Sequence, residues 1–299
     1  MRLTHPVETL DKRILVPKGE RIDNKFLRDF SRSCPKPDPV RFGLLEHRRV
    51  KRDLKAFSRD TPYSTLLSTA GKSGDLLSLM KESRVSPVML DFLDFFEKHD
   101  FYTYRHSLIV FALSIEIAKV MYGPERALGL SRMGPTHDFG KIGIPLSVLN
   151  KPTPLTPMER LLLEHHALAG YLLLTYYQGF DYAAARIARD HHERRDGSGY
   201  PAHRKRLAPD VEIVAVADIY DALISFRPYR KRPYDNRTAL EELTNMADSG
   251  KIPGSLVQVL VALNRHDRPD YRKCGVSRER RGTPPEGNLH RVLAQDDNK

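Results

Sequence analysis

Imidazole and carboxylate side chains recur along the chain in five clusters: His106, His137-Asp138, His165-His166, His191-His192 and Asp218. Successive clusters lie roughly 25 to 30 residues apart, about one helix plus a turn, which is how neighbouring helices of a bundle each bring a side chain to a shared cavity. A lone histidine on an apolar helix, such as His106, is ordinarily a packed core residue, but packing does not account for five clusters in register. Asp218 ends the apolar run Ile213-Val214-Ala215-Val216-Ala217, where a carboxylate is costly to bury unless it is paired or metal-bound. Adjacent residues on an ideal helix diverge by about 100°. The pair His137-Asp138 therefore suits a site with more than one metal, where a carboxylate can bridge two ions. In the stretch 191–201, two histidines and Glu193 run into a loop with Gly197 and Gly199, which let the backbone approach a ligand closely, and Tyr200-Pro201 stiffens its exit.

Local signals predict the fold around these clusters. Residues 1–33 read as a small α+β unit, with a strand at 13–16, a turn at 17–20 and a short helix capped by Asp23 and running through Phe30. Residues 34–39 are a proline-rich break, and 40–85 are basic and only weakly periodic, irregular or loosely helical. From Ser86 the chain reads as helices: 88–97, 101–121, one leading to His137-Asp138 and breaking at Gly140, and one opened by a Thr156–Glu159 capping box and running to about Gln178. Asp181 starts a helix carrying His191 and His192, and helices at 211–225, 238–246 and 255–264 follow. No sheet is expected beyond the N-terminal unit. The expected architecture is mainly α: an accessory region at 1–85, a helical domain at 86–264 and a charged, flexible tail at 265–299.

The hydrophobic fraction of 40% suits a globular chain, and no apolar run approaches the roughly 20 residues needed to span a bilayer. The N-terminus lacks a secretory h-region, and Cys34 and Cys274 lack metal spacing, so both read as reduced thiols of a cytoplasmic protein. A net charge of +11 attracts polyanions or a phosphate-bearing ligand. No helix-turn-helix or aromatic-interleaved signature points to nucleic acid.

The motifs run in order: Asp100-Phe-Tyr-Thr-Tyr-Arg-His106, His137-Asp138-Phe-Gly-Lys141, His166-Ala-Leu-Ala-Gly170, His191-His192-Glu193, Asp196-Gly-Ser-Gly-Tyr200-Pro201, Ala217-Asp218-Ile-Tyr-Asp221 and Arg227-Pro-Tyr-Arg230. From about Asp100 to Leu263 the sequence resembles the HD-GYP family, a branch of the HD phosphohydrolase superfamily that hydrolyses cyclic di-GMP. The resemblance implies an HD-type multi-helix bundle and metal ligands at His106, His137, Asp138, His166, His191, His192 and Asp218. It selects His166 over His165, and it sets aside His99-Asp100, which no Gly-Lys follows. Family members use iron, sometimes manganese. Those with a third metal carry a glutamate where Tyr102 stands here, so two metals are expected.

Two metals would lower the pKa of a water and set it in line with a phosphodiester phosphorus, with Asp138 between them. Lys141 would meet a non-bridging phosphate oxygen. The resemblance places Arg227 and Arg230 on the ligand's phosphates. Tyr200 would stack on a guanine or donate to phosphate, and Asp221, three residues after Asp218, would orient a ligand or a guanine.

Three positions depart from the family pattern. Gly134-Pro135 interrupts the approach to His137, Ala202-His203-Arg204-Lys205-Arg206 follows Tyr200-Pro201, and Glu212 stands where arginine is frequent. The leading expectation is a cyclic di-GMP phosphodiesterase yielding linear pGpG or GMP. One alternative is a cyclic dinucleotide receptor that signals to a partner through the N-terminal region or the Gly-Tyr-Pro loop. Another is a phosphohydrolase acting on a different nucleotide.

Overall fold

The computed structural model describes residues 2–36, 38–67, 74–179, 182–227, 230, 232–275 and 279–285. At the N-terminus β1 (Val7–Glu8) pairs antiparallel with β2 (Ile14–Val16), with Val7 opposite Val16 and both buried. Asp23 accepts from the Phe26 amide and caps α1 (Asn24–Ser33). The Leu10 amide donates to the Tyr177 hydroxyl at 2.7 Å and ties this unit to the helices.

Residues 40–85 differ from expectation. β3 (Phe42–Gly43) pairs antiparallel with β4 (Arg84–Val85), a second small sheet outside the N-terminal unit. Between them lie a 3-10 turn (Leu44–Glu46), α2 (Val50–Phe57), α3 (Tyr63–Leu66) and α4 (Gly74–Lys81). Strands paired from opposite ends of a long segment leave no local signal. α2 buries Val50, Leu54 and Phe57 on one face, and the buried carboxylate Asp53 among them interrupts the apolar stripe. One hydrophobic core takes in Leu3, Leu44, Leu54, Leu66 and Met80 together with the later helices through Leu263.

Two long helices follow, α5 (Pro87–His99) and α6 (Phe101–Tyr122). Asp100 ends the first and caps the second, accepting from the Thr103 amide at 3.3 Å and its hydroxyl at 2.7 Å. Every residue of α6 from His106 to Ala118 is buried, so this helix is the axis of the bundle. α7 (Pro124–Ser131) is short. Gly134, at φ +71°, and Pro135 then end the helical path, because proline offers no amide and clashes with the preceding turn. His137 and Asp138 therefore sit on a turn leading into a 3-10 turn (Phe139–Gly143), not on the expected helix.

After α8 (Leu146–Leu149), the Thr156–Glu159 capping box opens α9 (Pro157–Gln178) as expected. α10 (Tyr182–Asp190) stops one residue short of His191, so the histidine pair occupies the turn beyond it. Asp181, expected to start this helix, lies outside the described residues. α11 (Pro209–Ile224), α12 (Asn236–Asp248) and α13 (Gly254–Leu263) complete the bundle. Much of the described part of 265–299 lies against the domain and is not a free tail: Arg268 donates to the carbonyls of Thr65 and Leu66, Cys274 is buried, and the Gly282 amide donates to Glu241 at 2.7 Å. Residues 286–299 lie outside the described residues. Among the described residues no helix is long and apolar enough to cross a membrane.

Candidate metal centre

His106 from α6, His137 and Asp138 from the turn after α7, His166 from α9, His191 and His192 from the turn after α10, and Asp218 from α11 converge on one point. Their ligand atoms form two groups of three, His106/His137/Asp138 and His166/His191/His192, each within 4.8 Å. Asp138 lies between them. Its Oδ2 is 3.6 Å from His106 Nε2 and 3.4 Å from His137 Nε2, and its Oδ1 is 3.5 Å from His166 Nε2 and 3.9 Å from His191 Nε2. Asp218 Oδ1 stands 3.1 Å from His106 Nε2 and joins the first group.

Hydrogen bonds on the far side of the rings fix their orientation. His166 Nδ1 meets the Leu163 carbonyl at 2.5 Å, His191 Nδ1 the Ala188 carbonyl at 2.9 Å, and His106 Nδ1 the Asp221 carboxylate at 2.6 Å. Carbonyls and carboxylates only accept, so each Nδ1 carries a proton and the ring presents Nε2 to the cluster. Burial pushes His166 down to about 4 and His191 to about 3, and holds His192 well below the ordinary imidazole value. His166 Nε2 and His191 Nε2 thus face each other at 3.4 Å as two lone pairs with no proton between them. A cation satisfies that arrangement, and an imidazole–carboxylate donor set suits a divalent transition metal.

The first group has a different electrostatic character. Burial opposes the charged form of His106, but Asp218 and Asp221 outweigh it and raise the imidazole above its ordinary value. Burial likewise acts to raise Asp138, while Lys141 at 2.6 Å and His137 hold the carboxyl well below the usual range. Asp218 is also held well below it, with His106 overcoming burial.

Two glycines make the convergence possible. A Cβ on Gly140 would lie 2.0 Å from the His166 carbonyl and 2.5 Å from the Gly170 amide, so the 3-10 turn rests directly on the backbone of α9 and brings Asp138 to His166. A Cβ on Gly199 would lie 2.3 Å from the His192 carbonyl, and the loop folds back until the Tyr200 ring stacks on His192 at 4.6 Å. Glu193 is not a ligand. It accepts from the amides of Ala202 at 2.6 Å and Arg204 at 2.8 Å and clamps that loop.

A cavity of ≈ 280 Å³ opens beside His166, His192 and Asp218. Lys141, Tyr200 and Arg227, three of the residues expected to meet substrate, line it. Asp221 and Arg230 do not: the expected substrate contact of Arg230 is corrected, whereas Asp221 stands behind His106, where it would orient a ligand, one of the two parts expected of it, and not a guanine. Asp221 is fully buried behind His106, with Oδ1 engaged by the hydroxyls of Tyr63 and Ser225. Arg230 is buried and donates to the Ala222 and Leu223 carbonyls at 2.9 and 2.7 Å, closing the end of α11. Pro228 and Tyr229 lie outside the described residues. Lys151, Arg160 and Arg194 also line the cavity and were not anticipated. Arg194 stands in the same 191–201 stretch as the histidine pair, but no local pattern marks the other two.

The departures from the family pattern leave the cluster intact. The break at Pro135 is part of the turn that delivers His137, whose Nε2 lies 3.4 Å from that of His106. None of residues 202–206 lines the cavity. Glu212 forms a two-pronged ion pair with Arg195 at 2.5 and 2.9 Å. His165 turns away from the cluster, its ring 5.8 Å from that of His5.

A helical bundle that gathers histidines and aspartates into such a centre has known relatives. The family model described as HD domain matches residues 97–256. The chain belongs to the HD domain family, in its HD-GYP branch. It is 37% identical over 182 residues to a cyclic di-GMP phosphodiesterase of Thermotoga maritima, covering 59% of this chain and 49% of that one. A cyclic di-GMP phosphodiesterase of Pseudomonas aeruginosa is 33% identical over 226 residues, covering 71% of this chain and 53% of the relative. A 3'3'-cGAMP-specific phosphodiesterase of Vibrio cholerae is 32% identical over 167 residues, covering 54% and 37%. The chain spans about half the length of the first two relatives.

Proposed function

We propose that the chain is a metal-dependent phosphodiesterase that hydrolyses cyclic di-GMP to linear pGpG or on to GMP, and that it holds two divalent ions, iron or manganese. The observation that carries this reading is Asp138, one oxygen turned to each of two ligand groups, beside a cation-lined cavity. His106, His137, Asp138 and Asp218 would hold one ion, and His166, His191 and His192, sharing Asp138, the other. Bound there, the ions supply Lewis acidity to a phosphodiester.

The chain's own groups do the rest. Lys141, its ammonium on Asp138, faces the cavity and offsets charge on a non-bridging oxygen. Arg227, lying over the Tyr102 ring at 4.9 Å, and Arg194, anchored to the His191 and Glu193 carbonyls, offer guanidinium groups to phosphate. Burial holds the Tyr200 phenol far above its usual range, so it stays a neutral donor. Leu149, Leu155, Leu163 and Ile219 form an apolar wall for a base. The relatives' names support the substrate. The reading puts the chain in the cytoplasm, in keeping with Cys34 and Cys274 as free thiols.

The test is an anaerobic assay of iron- and manganese-loaded protein with cyclic di-GMP and, separately, 3'3'-cGAMP, with products resolved by chromatography. Linear dinucleotide or GMP from cyclic di-GMP is expected. Turnover of 3'3'-cGAMP alone would reassign the substrate, and tight binding without product would make the chain a receptor.

A further inference from the structure

Unlike His166 and His191, whose far nitrogens rest on main-chain carbonyls, His106 rests its far nitrogen on a side chain, the Asp221 carboxylate, and that carboxylate is itself held in part from outside the matched domain. Asp221 Oδ2 takes His106 Nδ1 at 2.6 Å, and Oδ1 accepts from the hydroxyls of Tyr63 and of Ser225. Tyr63 belongs to α3, before the residues 97–256 that the family model matches. It is buried, and the Arg105 guanidinium lies over its ring at 5.0 Å while reaching the Ser225 hydroxyl at 3.0 Å. α3 is fixed at its far end as well, where Arg268 donates to the carbonyls of Thr65 and Leu66 at 2.8 and 2.9 Å.

We propose that Tyr63 is a positioning residue of the metal centre: its hydroxyl orients Asp221, which orients the His106 ring toward the ion. A carboxylate behind a ligating imidazole sets the ring's direction and basicity, and an oxygen pinned from behind cannot rotate out of line. The segment before the HD domain thereby completes the site instead of only flanking it. The inference rests on the reading of the cluster as a metal centre.

Tyr63→Phe keeps the ring under Arg105 and removes only the hydroxyl. Leu66→Val loosens the packing of the same helix without touching that hydrogen bond. Mn(II) affinity, the spectrum of bound Mn(II) and the melting temperature of the metal-free protein are measured on wild type and both variants. Tyr63→Phe should bind Mn(II) roughly tenfold more weakly, with an altered spectrum. Leu66→Val should melt lower and bind Mn(II) as wild type does. Wild-type affinity and spectrum in Tyr63→Phe, or an equal loss of affinity in Leu66→Val, would overturn the proposal. A wild-type protein that takes up neither Mn(II) nor Fe(II) would overturn it together with the metal-centre reading.

Discussion

The two halves of the ligand cluster are built from the same residue types but hold protons differently. In the first, His106 stands between two carboxylates, 3.1 Å from Asp218 and 2.6 Å from Asp221, and its basicity is raised. In the second, His166 and His191 are backed by main-chain carbonyls, and burial lowers them to about 4 and about 3. A metal entering the first half competes with a proton that His106 holds more readily than an ordinary imidazole, whereas the second half presents bare nitrogens. The carboxylate partners favour the charged form of an imidazole, and burial without such a partner favours the neutral one. Asp138 alone belongs to both halves.

The largest effect expected on this comparison comes from Asp138→Ala. It should empty both halves together and lower turnover by on the order of 10³-fold, read by metal analysis and product formation. Retention of a full metal complement would break the claim that one carboxylate serves both. Gly140→Ala comes next. Its methyl group would meet the His166 carbonyl at 2.0 Å, so the 3-10 turn must lift from α9, at about 3 kcal/mol seen in chemical denaturation. The disturbance should fall between Asp138 and the His166 half, leaving the His106 half closer to native.

Acid should then separate the halves. As pH falls through the raised value of His106, that ring takes up a proton that a metal must displace, and metal affinity of the first half should drop, by up to about tenfold per pH unit. The second half should show no such slope until pH approaches about 4, where His166 begins to protonate. Mn(II) titrations between pH 7.5 and 5.5, roughly the span over which an ordinary imidazole titrates, should show one phase weakening and one holding. The smallest effect concerns the cavity wall. Arg227→Ala should raise KM roughly fivefold for the loss of about 1 kcal/mol of contact. Arg230→Ala, which strips donors from the Ala222 and Leu223 carbonyls, should lower Tm and leave KM unchanged.

What could be read before the structure follows from the range of the signal. The residues that converge in the cluster were legible because each lies in a short motif and the motifs recur at helix-length intervals. The helices of 86–264 were legible from their caps and stops, such as Ser86-Pro87, Thr156–Glu159 and Gly123-Pro124. Long-range pairings were not. Nothing near Phe42 announces Arg84, and nothing near Tyr63 announces Asp221. The motif puts Arg230 on the substrate, and leaves Asp221 between a ligand and a guanine, because it gives a position in the chain but not the direction of a side chain. On α11, Asp218 points to the cluster, whereas Asp221 points behind His106. Lys151 and Arg160 reach the cavity from the start of α9 and its approach, where a basic residue looks like any solvated one.

The central claim is two metals in two half-sites that share Asp138. Metal content per chain after anaerobic reconstitution of wild type, His106→Ala and His192→Ala tests it most directly. Two ions in wild type and one in each variant is the predicted result. One ion in wild type, or loss of all metal from both variants, would contradict it.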